Sequence, residues 1–195
     1  MLPKIFHNIY QSNAWRSHET VSGGGSELAR TEEIRRELPV LLKHLEIKTM
    51  LDAGCGDWHW MGTLDLAGIK VSACDIVPEI IVANKQQYSG VDFFIADITS
   101  DELPKVDLVL CRATLFHLSF ANIQKALSRL FQCSDYVLTT IHPNIDANQN
   151  ITDGGWRRLN LMKAPFNLPP PDVFFYDGPG KDGGLGLWRK EAWIE

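Results

Sequence analysis

The sequence lacks a long apolar stretch. Within its 195 residues no run of about 18 apolar residues occurs, so no membrane span is predicted. The N-terminal residues MLPKIFHNIYQSNAW also lack the continuous apolar core and the small-residue cleavage site of a secretory leader. We therefore expect a cytoplasmic protein.

Paired cysteines and a basic excess are missing as well. None of the four cysteines stands in a Cys-X-X-Cys pair, which argues against a zinc site or a disulfide framework. The net charge of −5 argues against broad nucleic-acid binding, because no positive excess is present to displace counterions from phosphates. The paired arginines at 35–36 and 157–158 leave a local basic patch open.

A third absence concerns a glycine. Residues 50–61 read MLDAGCGDWHWM, in which an apolar run leads to Gly54 and Gly56. A dinucleotide fingerprint, Gly-X-Gly-X-X-Gly, requires a third glycine at the position of His59. Asp52 and Asp57 flank the turn, where they would repel a pyrophosphate but not a sulfonium or an ammonium. The charge pattern therefore favours S-adenosylmethionine over NAD or FAD.

Apolar strand-like runs alternate with helical segments over most of the chain. The predicted strands lie in KTMLDAG, IKVSACDIV, VDFFIADIT, VDLVLCRATLFHL and SDYVLTTIHP. The helices between them lie in GDWHWMGTLDLAG, PEIIVANKQQYSG and SFANIQKALSRLFQC. Such alternation predicts an α/β fold with a doubly wound, mostly parallel sheet. Two late runs, DVFFYDG and LGLWRKEAWIE, are expected to form a C-terminal antiparallel hairpin.

The N-terminal part has a different character. Residues 1–26 are predicted to be irregular, and a helix follows from Ser26 or Thr31 to His44, with a kink or a division into two short helices at Pro39. We divide the chain into an N-terminal lid and helix (1–46) and a core (47–195) within one domain. The lid hypothesis depends on Trp15, an unusual residue for a disordered tail, and the alternative is a mobile tail.

Polar residues follow the predicted strands. In open α/β sheets, ligands bind outside the carboxyl ends of the strands, so these residues are the candidates for a site. The second strand ends in Asp75, which lies 19 residues after Gly56, near the spacing of a ribose-binding acid. The third strand ends in Asp97, which could accept a hydrogen bond from an exocyclic adenine amine.

The fragments LDAGCGD, ACDI and FFIADIT together resemble the class I S-adenosylmethionine-dependent methyltransferases. The resemblance covers residues 47–142 by motif and the rest by architecture, although Trp58 replaces the third glycine of the commonest pattern. Other fragments (SGGGS, IRRELPVLL, DWHWM, LCRATLFHLS, LGLWR) resemble a bacterial branch whose genes often lie near surface-polysaccharide genes.

The resemblance implies a Rossmann-like methyltransferase sheet with S-adenosylmethionine as the cofactor. The glycine turn would contact the methionine part, Asp75 the ribose hydroxyls and Asp97 the adenine amine, with the Ile98 backbone N–H beside the ring. The implied cofactor-binding residues are Asp52, Gly54, Cys55, Gly56, Asp75, Ile76, Asp97, Ile98, Cys111 and Trp15.

Three residues near the ends of the fourth and fifth strands are candidates for the chemistry. His117 and His142 could take a proton from the methyl acceptor near neutral pH. The alternatives are a backbone-bonded residue before a helix for His117 and a loop-shaping residue for His142. Arg112 follows a buried strand and needs an anion, either a substrate group or one of the aspartates at the strand ends.

Trp156, Arg157 and Arg158 in the late loop combine an aromatic face with donors and are candidates for substrate binding, the alternative being a solvated loop. No acid follows the fourth strand, so no metal is predicted. The expected function is methyl transfer to oxygen or nitrogen of a small molecule, such as a saccharide or an activated sugar precursor. The alternatives are a non-catalytic cofactor-binding module and, less favoured, an NAD-dependent oxidoreductase.

Overall fold

A computed structural model describes residues 1–193 and shows a seven-stranded sheet in the order β3-β2-β1-β4-β5-β7-β6. The first five strands are mutually parallel, and β7 pairs antiparallel with both β5 and β6. The strands are β1 (Thr49–Ala53), β2 (Lys70–Asp75), β3 (Val91–Ile95), β4 (Val106–Cys111), β5 (Ser134–Ile141), β6 (Val173–Tyr176) and β7 (Gly184–Arg189). The predicted α/β sheet with its C-terminal hairpin is confirmed.

The helices are α1 (Leu2–Gln11), α2 (Glu32–His44), α3 (Pro78–Gln87) and α4 (Phe120–Cys133). The central strands are apolar because both faces of the sheet are covered. On one face α4 packs its Ile123 and Leu127 side chains against the sheet, and on the other α2 packs Ile34 and Leu38. In residues 1–193 no helix is both long enough and apolar enough to cross a bilayer.

Strand register brings the predicted site residues to one edge of the sheet. Ala53 is paired with Cys74, and Asp75 with Ile95, so the first three strands end at nearly the same level. Asp52 is paired with Leu110, which places the end of β4 beside them. The four carboxyl ends therefore border one space.

The structure corrects three of the predicted elements. The N-terminal stretch is not irregular throughout, because Leu2, Phe6 and Tyr10 recur at helical spacing on α1 and line a pocket. Helix α2 continues through Pro39, so a division into two helices is wrong. The segment after the glycine turn forms only a 3-10 turn (Met61–Thr63), since Trp58 has a positive φ of 58° that interrupts a helix.

The start of α4 is bound to the long loop that follows β5. Ser119 stands at the N-terminal cap of α4 without a side-chain capping bond. The backbone N–H of Ser119 instead donates to Asp153 at 2.6 Å, and that of Phe120 to Asn150 at 2.8 Å. The long loop after β5 is thereby fixed to the start of α4. Residues 194–195 of the last predicted strand lie outside the described residues.

Candidate active site

A pocket, here called the strand-end pocket, lies at the carboxyl ends of β1 to β4. All the predicted cofactor-binding residues except Cys111 line it: Asp52, Gly54, Cys55, Gly56, Asp75, Ile76, Asp97, Ile98 and Trp15. The Cys111 side chain is fully buried within the sheet and does not line the pocket, because it points into the core from the last position of β4. Its predicted contact is therefore corrected.

The glycine turn after β1 brings backbone to the pocket. Gly54 and Gly56 both have positive φ, 84° and 55°, which glycine adopts without strain. A Cβ on Gly54 would lie 2.4 Å from the Thr114 hydroxyl oxygen, and one on Gly56 would lie 2.1 Å from that of Ser22. Both positions therefore also require the absence of a side chain.

Two carboxyls, the buried Asp52 and the partly buried Asp75, give the strand-end pocket its negative character. Burial raises the pKa of Asp52 to about 7, against the opposing effect of the Arg112 guanidinium, and the Asp75 charge raises it further. Burial likewise raises the pKa of Asp75, while backbone N–H donors stabilise its ionised form. Gly56 and Val77 each donate to it at 3.0 Å. A bound cation or a set of hydroxyl donors would favour the charged forms of both.

Asp97 is partly buried at the end of β3 and lines the same pocket. Its Oδ1 accepts hydrogen bonds from the Thr99 backbone N–H at 2.9 Å and from the Thr99 hydroxyl at 2.7 Å. These bonds fix the orientation of the carboxylate and leave its other oxygen free of side-chain donors among the described residues.

Asp57 lies outside the strand-end pocket and binds the N-terminal segment instead. Its carboxylate accepts from the hydroxyls of Thr20 (2.6 and 2.8 Å) and Ser22 (2.8 Å), and from the Val21 backbone N–H (3.0 Å). The Asp57 N–H in turn donates to Ser22 Oγ at 3.0 Å. The expectation that Asp57 faces the ligand is therefore corrected: its charge is used to hold residues 20–22 over the glycine turn.

The N-terminal cover, defined here as α1 and residues 12–31, closes one side of the pocket. Its lining side chains are Leu2, Phe6, Tyr10, Trp15, Val21, Ser22 and Ser26. His59, in place of the missing third glycine, contacts Glu19 of this cover at 2.7 Å. Glu19 also accepts from the Leu28 N–H at 2.7 Å, and these two bonds lower the pKa of Glu19. None of these partners was identified from the sequence, which shows no spacing that pairs them.

The tryptophans beside the turn have separate roles. Trp58 is buried in the core with its ring edge-on to Phe93, at 5.4 Å between centroids. Trp60 lines the pocket and lies under the Arg112 guanidinium, 5.2 Å from its ring centroid.

Arg112 pairs with an acid that sequence reasoning missed. Its Nε and Nη2 donate to the two carboxylate oxygens of Asp177, at 2.6 and 3.2 Å, and both side chains are only 7% exposed. Nη2 also donates to the Gly25 carbonyl at 2.8 Å. The predicted partners at the strand ends are wrong, because Asp177 arrives from the distant loop between β6 and β7.

His117 faces the strand-end pocket with one nitrogen already engaged. Its Nδ1 lies 2.7 Å from the Gly155 carbonyl, which can only accept, so Nδ1 carries the proton in the neutral ring. Burial lowers the pKa of His117 to about 4, so the ring is neutral near pH 7. Trp15 stacks on it at 5.0 Å between centroids. The lone pair of Nε2 is therefore the basic group that this residue offers.

His142 lies in a second cavity, here called the outer cleft. Its Nδ1 accepts from the Leu159 N–H at 3.2 Å, so the proton of the neutral ring is on Nε2. Burial lowers the pKa of His142, which keeps the ring neutral. The Nδ1 lone pair of the neutral His142 ring is occupied by the Leu159 N–H. His142 can therefore donate a hydrogen bond from Nε2 but is poorly placed to act as a base.

The three predicted substrate-binding residues are separated by the fold. Trp156 lines the outer cleft and is 59% exposed, in edge-on contact with Phe116 and His142. Arg157 is buried and donates to the carbonyls of Leu115 (3.2 Å) and Leu118 (2.8 Å), so its predicted role in binding a substrate is corrected.

Arg158 is exposed and pairs with Asp182 at 2.9 Å. It does not line the outer cleft. Within residues 1–193 no group of three or more His, Cys, Asp or Glu side chains is placed to hold a metal ion.

Comparison with known proteins is consistent with this geometry. Residues 50–134, somewhat less than half of the chain, match the family model of a methyltransferase domain. A phosphoethanolamine N-methyltransferase from Triticum aestivum is 30% identical over 106 residues, which are 51% of this chain and 21% of that protein. The chain thus spans about a fifth of the length of that curated relative.

Solved structures share the fold at low identity. The N-methyltransferase NodS from Bradyrhizobium japonicum, in complex with S-adenosyl-L-homocysteine, aligns with a TM-score of 0.66 and 15% identity over 93% of this chain and 98% of NodS. The magnesium protoporphyrin IX methyltransferase from Synechocystis with bound S-adenosylmethionine has a TM-score of 0.64, 16% identity and coverage of 96% of each chain. The chain therefore has a class I methyltransferase fold.

Proposed function

We propose that this chain is an S-adenosylmethionine-dependent methyltransferase that acts on oxygen or nitrogen of a small molecule. One observation carries the proposal: a single pocket contains the glycine turn of β1 and the acids that end β1, β2 and β3. The family match over residues 50–134 and the donor-bound or product-bound structural neighbours support it.

The pocket chemistry suits each part of this donor. Asp75 can accept both ribose hydroxyls, since each carboxylate oxygen retains a lone pair beside its backbone donor. Asp97 can accept from the adenine amine, with Ile98 and Phe6 providing apolar surface. The turn at Gly54 to Gly56 allows the methionine part to approach backbone closely.

The charge distribution favours a cationic ligand. Asp52 and Asp75 line the strand-end pocket. Among the described lining residues the one basic side chain is that of Arg112, and Asp177 neutralises it. A sulfonium and an ammonium would stabilise the ionised carboxylates, whereas the pyrophosphate of NAD would be repelled.

His117 is the base that the geometry supports best. The acceptor oxygen or nitrogen would attack the donor methyl in line, the carbon–sulfur bond would break, and S-adenosylhomocysteine would leave. The acceptor proton would pass to Nε2 of His117, whose tautomer is set by Gly155. With a pKa of about 4, His117 would release that proton to water at neutral pH.

The N-terminal cover is the proposed lid. Leu2, Phe6 and Trp15 would exclude water from the donor, and the bonds from Asp57 and His59 would hold the cover shut. A saccharide or activated sugar precursor is the favoured acceptor, because the sequence resembles the branch found near surface-polysaccharide genes and because Trp156 presents an exposed aromatic face. A cytoplasmic location and a small-molecule rather than nucleic-acid partner remain predictions from the sequence.

Isothermal titration with S-adenosylmethionine and with NAD tests the proposal. We expect heat with the methyl donor and none with NAD. Asp75→Ala should weaken donor binding by at least about tenfold, because the ribose would lose both charged acceptors. Asp92→Ala, an exposed aspartate on β3, is the matched control and should bind as the wild type does. Tight NAD binding, or full affinity in Asp75→Ala, would contradict the proposal, and a metabolite screen for donor turnover separates an enzyme from a non-catalytic module.

A further inference from the structure

The outer cleft lies directly beside the strand-end pocket. Arg112 and Ala113 line both cavities, so a molecule in the outer cleft would border the proposed methyl donor. The cleft is bounded by residues 24–30 of the N-terminal cover, by the loop between β6 and β7, and by His142 and Trp156.

The charged side chains of the outer cleft are unequally paired. Asp177 is paired with Arg112 and Asp182 with Arg158, whereas Glu27 accepts a hydrogen bond from the Ser17 hydroxyl at 2.8 Å and keeps its negative charge. The two remaining cations lining the cleft, Arg30 and Lys181, have no carboxylate within ion-pair distance among residues 1–193. The Lys181 ammonium lies 5.7 Å from the centroid of the Tyr176 ring. The cleft therefore retains two cations, Arg30 and Lys181, that lie outside ion-pair distance of any described carboxylate, and one carboxylate, Glu27, that has no cationic partner.

Glycine backbone forms much of the remaining wall. The cleft glycines are Gly24, Gly25, Gly178, Gly180, Gly183 and Gly184. At Gly25 and Gly180 no heavy atom lies within 4 Å of where a Cβ would stand, so ligand oxygens can approach backbone there. His142 adds a donor, because its Nε2 carries the proton while Nδ1 is occupied. Cations together with N–H donors are the chemistry that holds a phosphate.

Trp156 provides the apolar part of the same wall. Phe116 and His142 hold its ring in edge-on contact, at 6.2 and 6.4 Å between centroids, yet 59% of the residue is exposed. A large aromatic ring that is supported from behind and open in front can stack on a ligand ring.

We propose that the outer cleft is the acceptor site and that it selects a phosphorylated small molecule, with its phosphate between Arg30 and Lys181 and its ring on Trp156. The acceptor role rests on the proposed methyltransferase function; the anion site rests on the cleft itself. Arg30 and Lys181 thus take the anion-binding role in place of Arg112 and Arg157. Arg112 is already bound to Asp177, and Arg157 donates to backbone carbonyls.

The test uses the full chain with S-adenosylhomocysteine bound and three probes of one ring type: glucose 1-phosphate, glucuronate and glucose. Titration calorimetry should show glucose 1-phosphate binding at least about tenfold more tightly than glucose or glucuronate. The binding should weaken with added salt, because the partners are exposed charges. Amide NMR shifts should appear at Gly178–Gly184 and in the Trp156 indole.

The variant Arg30→Gln/Lys181→Gln should lose about tenfold or more of the glucose 1-phosphate affinity while keeping that for S-adenosylhomocysteine. The matched control, Lys85→Gln/Arg129→Gln, removes the same charges from exposed positions on α3 and α4 and should behave as the wild type.

Equal binding of glucose 1-phosphate by both double variants, or shifts confined to other surfaces, would overturn the anion site. Equal affinity for glucuronate would overturn the preference for phosphate. Binding of glucose 1-phosphate by a chain that fails to bind S-adenosylhomocysteine would instead refute the acceptor role together with the proposed function.

Discussion

The buried ion pair between Arg112 and Asp177 permits a quantitative stability prediction. Asp177→Ala would leave the guanidinium buried with only the Gly25 carbonyl and the Trp60 ring as partners. Removing one member of a buried pair costs roughly 3–5 kcal/mol, because an uncompensated charge remains out of water. Since those two partners stay in place, we expect the lower end, a loss of about 3 kcal/mol in the free energy of unfolding.

The same loop carries a matched control. Asp182 pairs with Arg158 at 2.9 Å, but the two side chains are 51% and 53% exposed. An exposed pair of this kind contributes about 0–1 kcal/mol, so Asp182→Ala should lose no more than that. Asp177→Asn keeps one acceptor and should fall between the two. Urea unfolding of the three variants measures the differences; a loss for Asp177→Ala within about 1 kcal/mol of that for Asp182→Ala would refute the burial argument.

Three further predictions concern the pocket and its cover. Asp57→Asn should release the N-terminal cover, so S-adenosylhomocysteine affinity should fall about tenfold and proteolysis within residues 12–31 should rise, whereas exposed Asp65→Asn should change neither. The pKa of His117 is lowered from 6.5 to about 4, so below pH 6.5 the unfolded chain binds a proton that the folded chain does not. The free energy of unfolding should therefore fall by up to roughly 3 kcal/mol between pH 6.5 and 4. Denaturant titrations of His117→Gln should show a weaker dependence of that free energy on pH. Gly54→Ala should abolish donor binding in calorimetry, because a Cβ at φ 84° would overlap Thr114; retained binding would show that the turn can relax.

Much of the fold and part of the candidate site could be predicted from local sequence. Asp52, Asp75 and Asp97 follow apolar runs, and parallel strands bring their carboxyl ends to one edge whatever lies between them. The glycine turn could be identified because Gly54 and Gly56 adopt a backbone conformation that other residues rarely adopt. These features depend on neighbours in the chain and on general rules of sheet topology.

Other features could not be predicted, because long-range contacts decide them. Arg112 and Asp177 are 65 residues apart, and nothing near either residue indicates the pairing. Arg157 and Arg158 are adjacent in sequence, yet one is buried against carbonyls and the other is exposed. Helix α1 is different, because its local signal was present and was missed: Leu2, Phe6 and Ile9 recur at helical spacing.

The sequence alone determined which segments are apolar enough to form strands covered on both faces, and which acids lie at the ends of those strands. The tertiary structure decided which charges remain available to a ligand. Asp57 and His59 stand beside the glycine turn but bind the N-terminal cover, and Arg112 is neutralised by Asp177. The physical reason is that a charged side chain binds whichever partner the fold brings within about 3 Å, and sequence distance does not limit that choice.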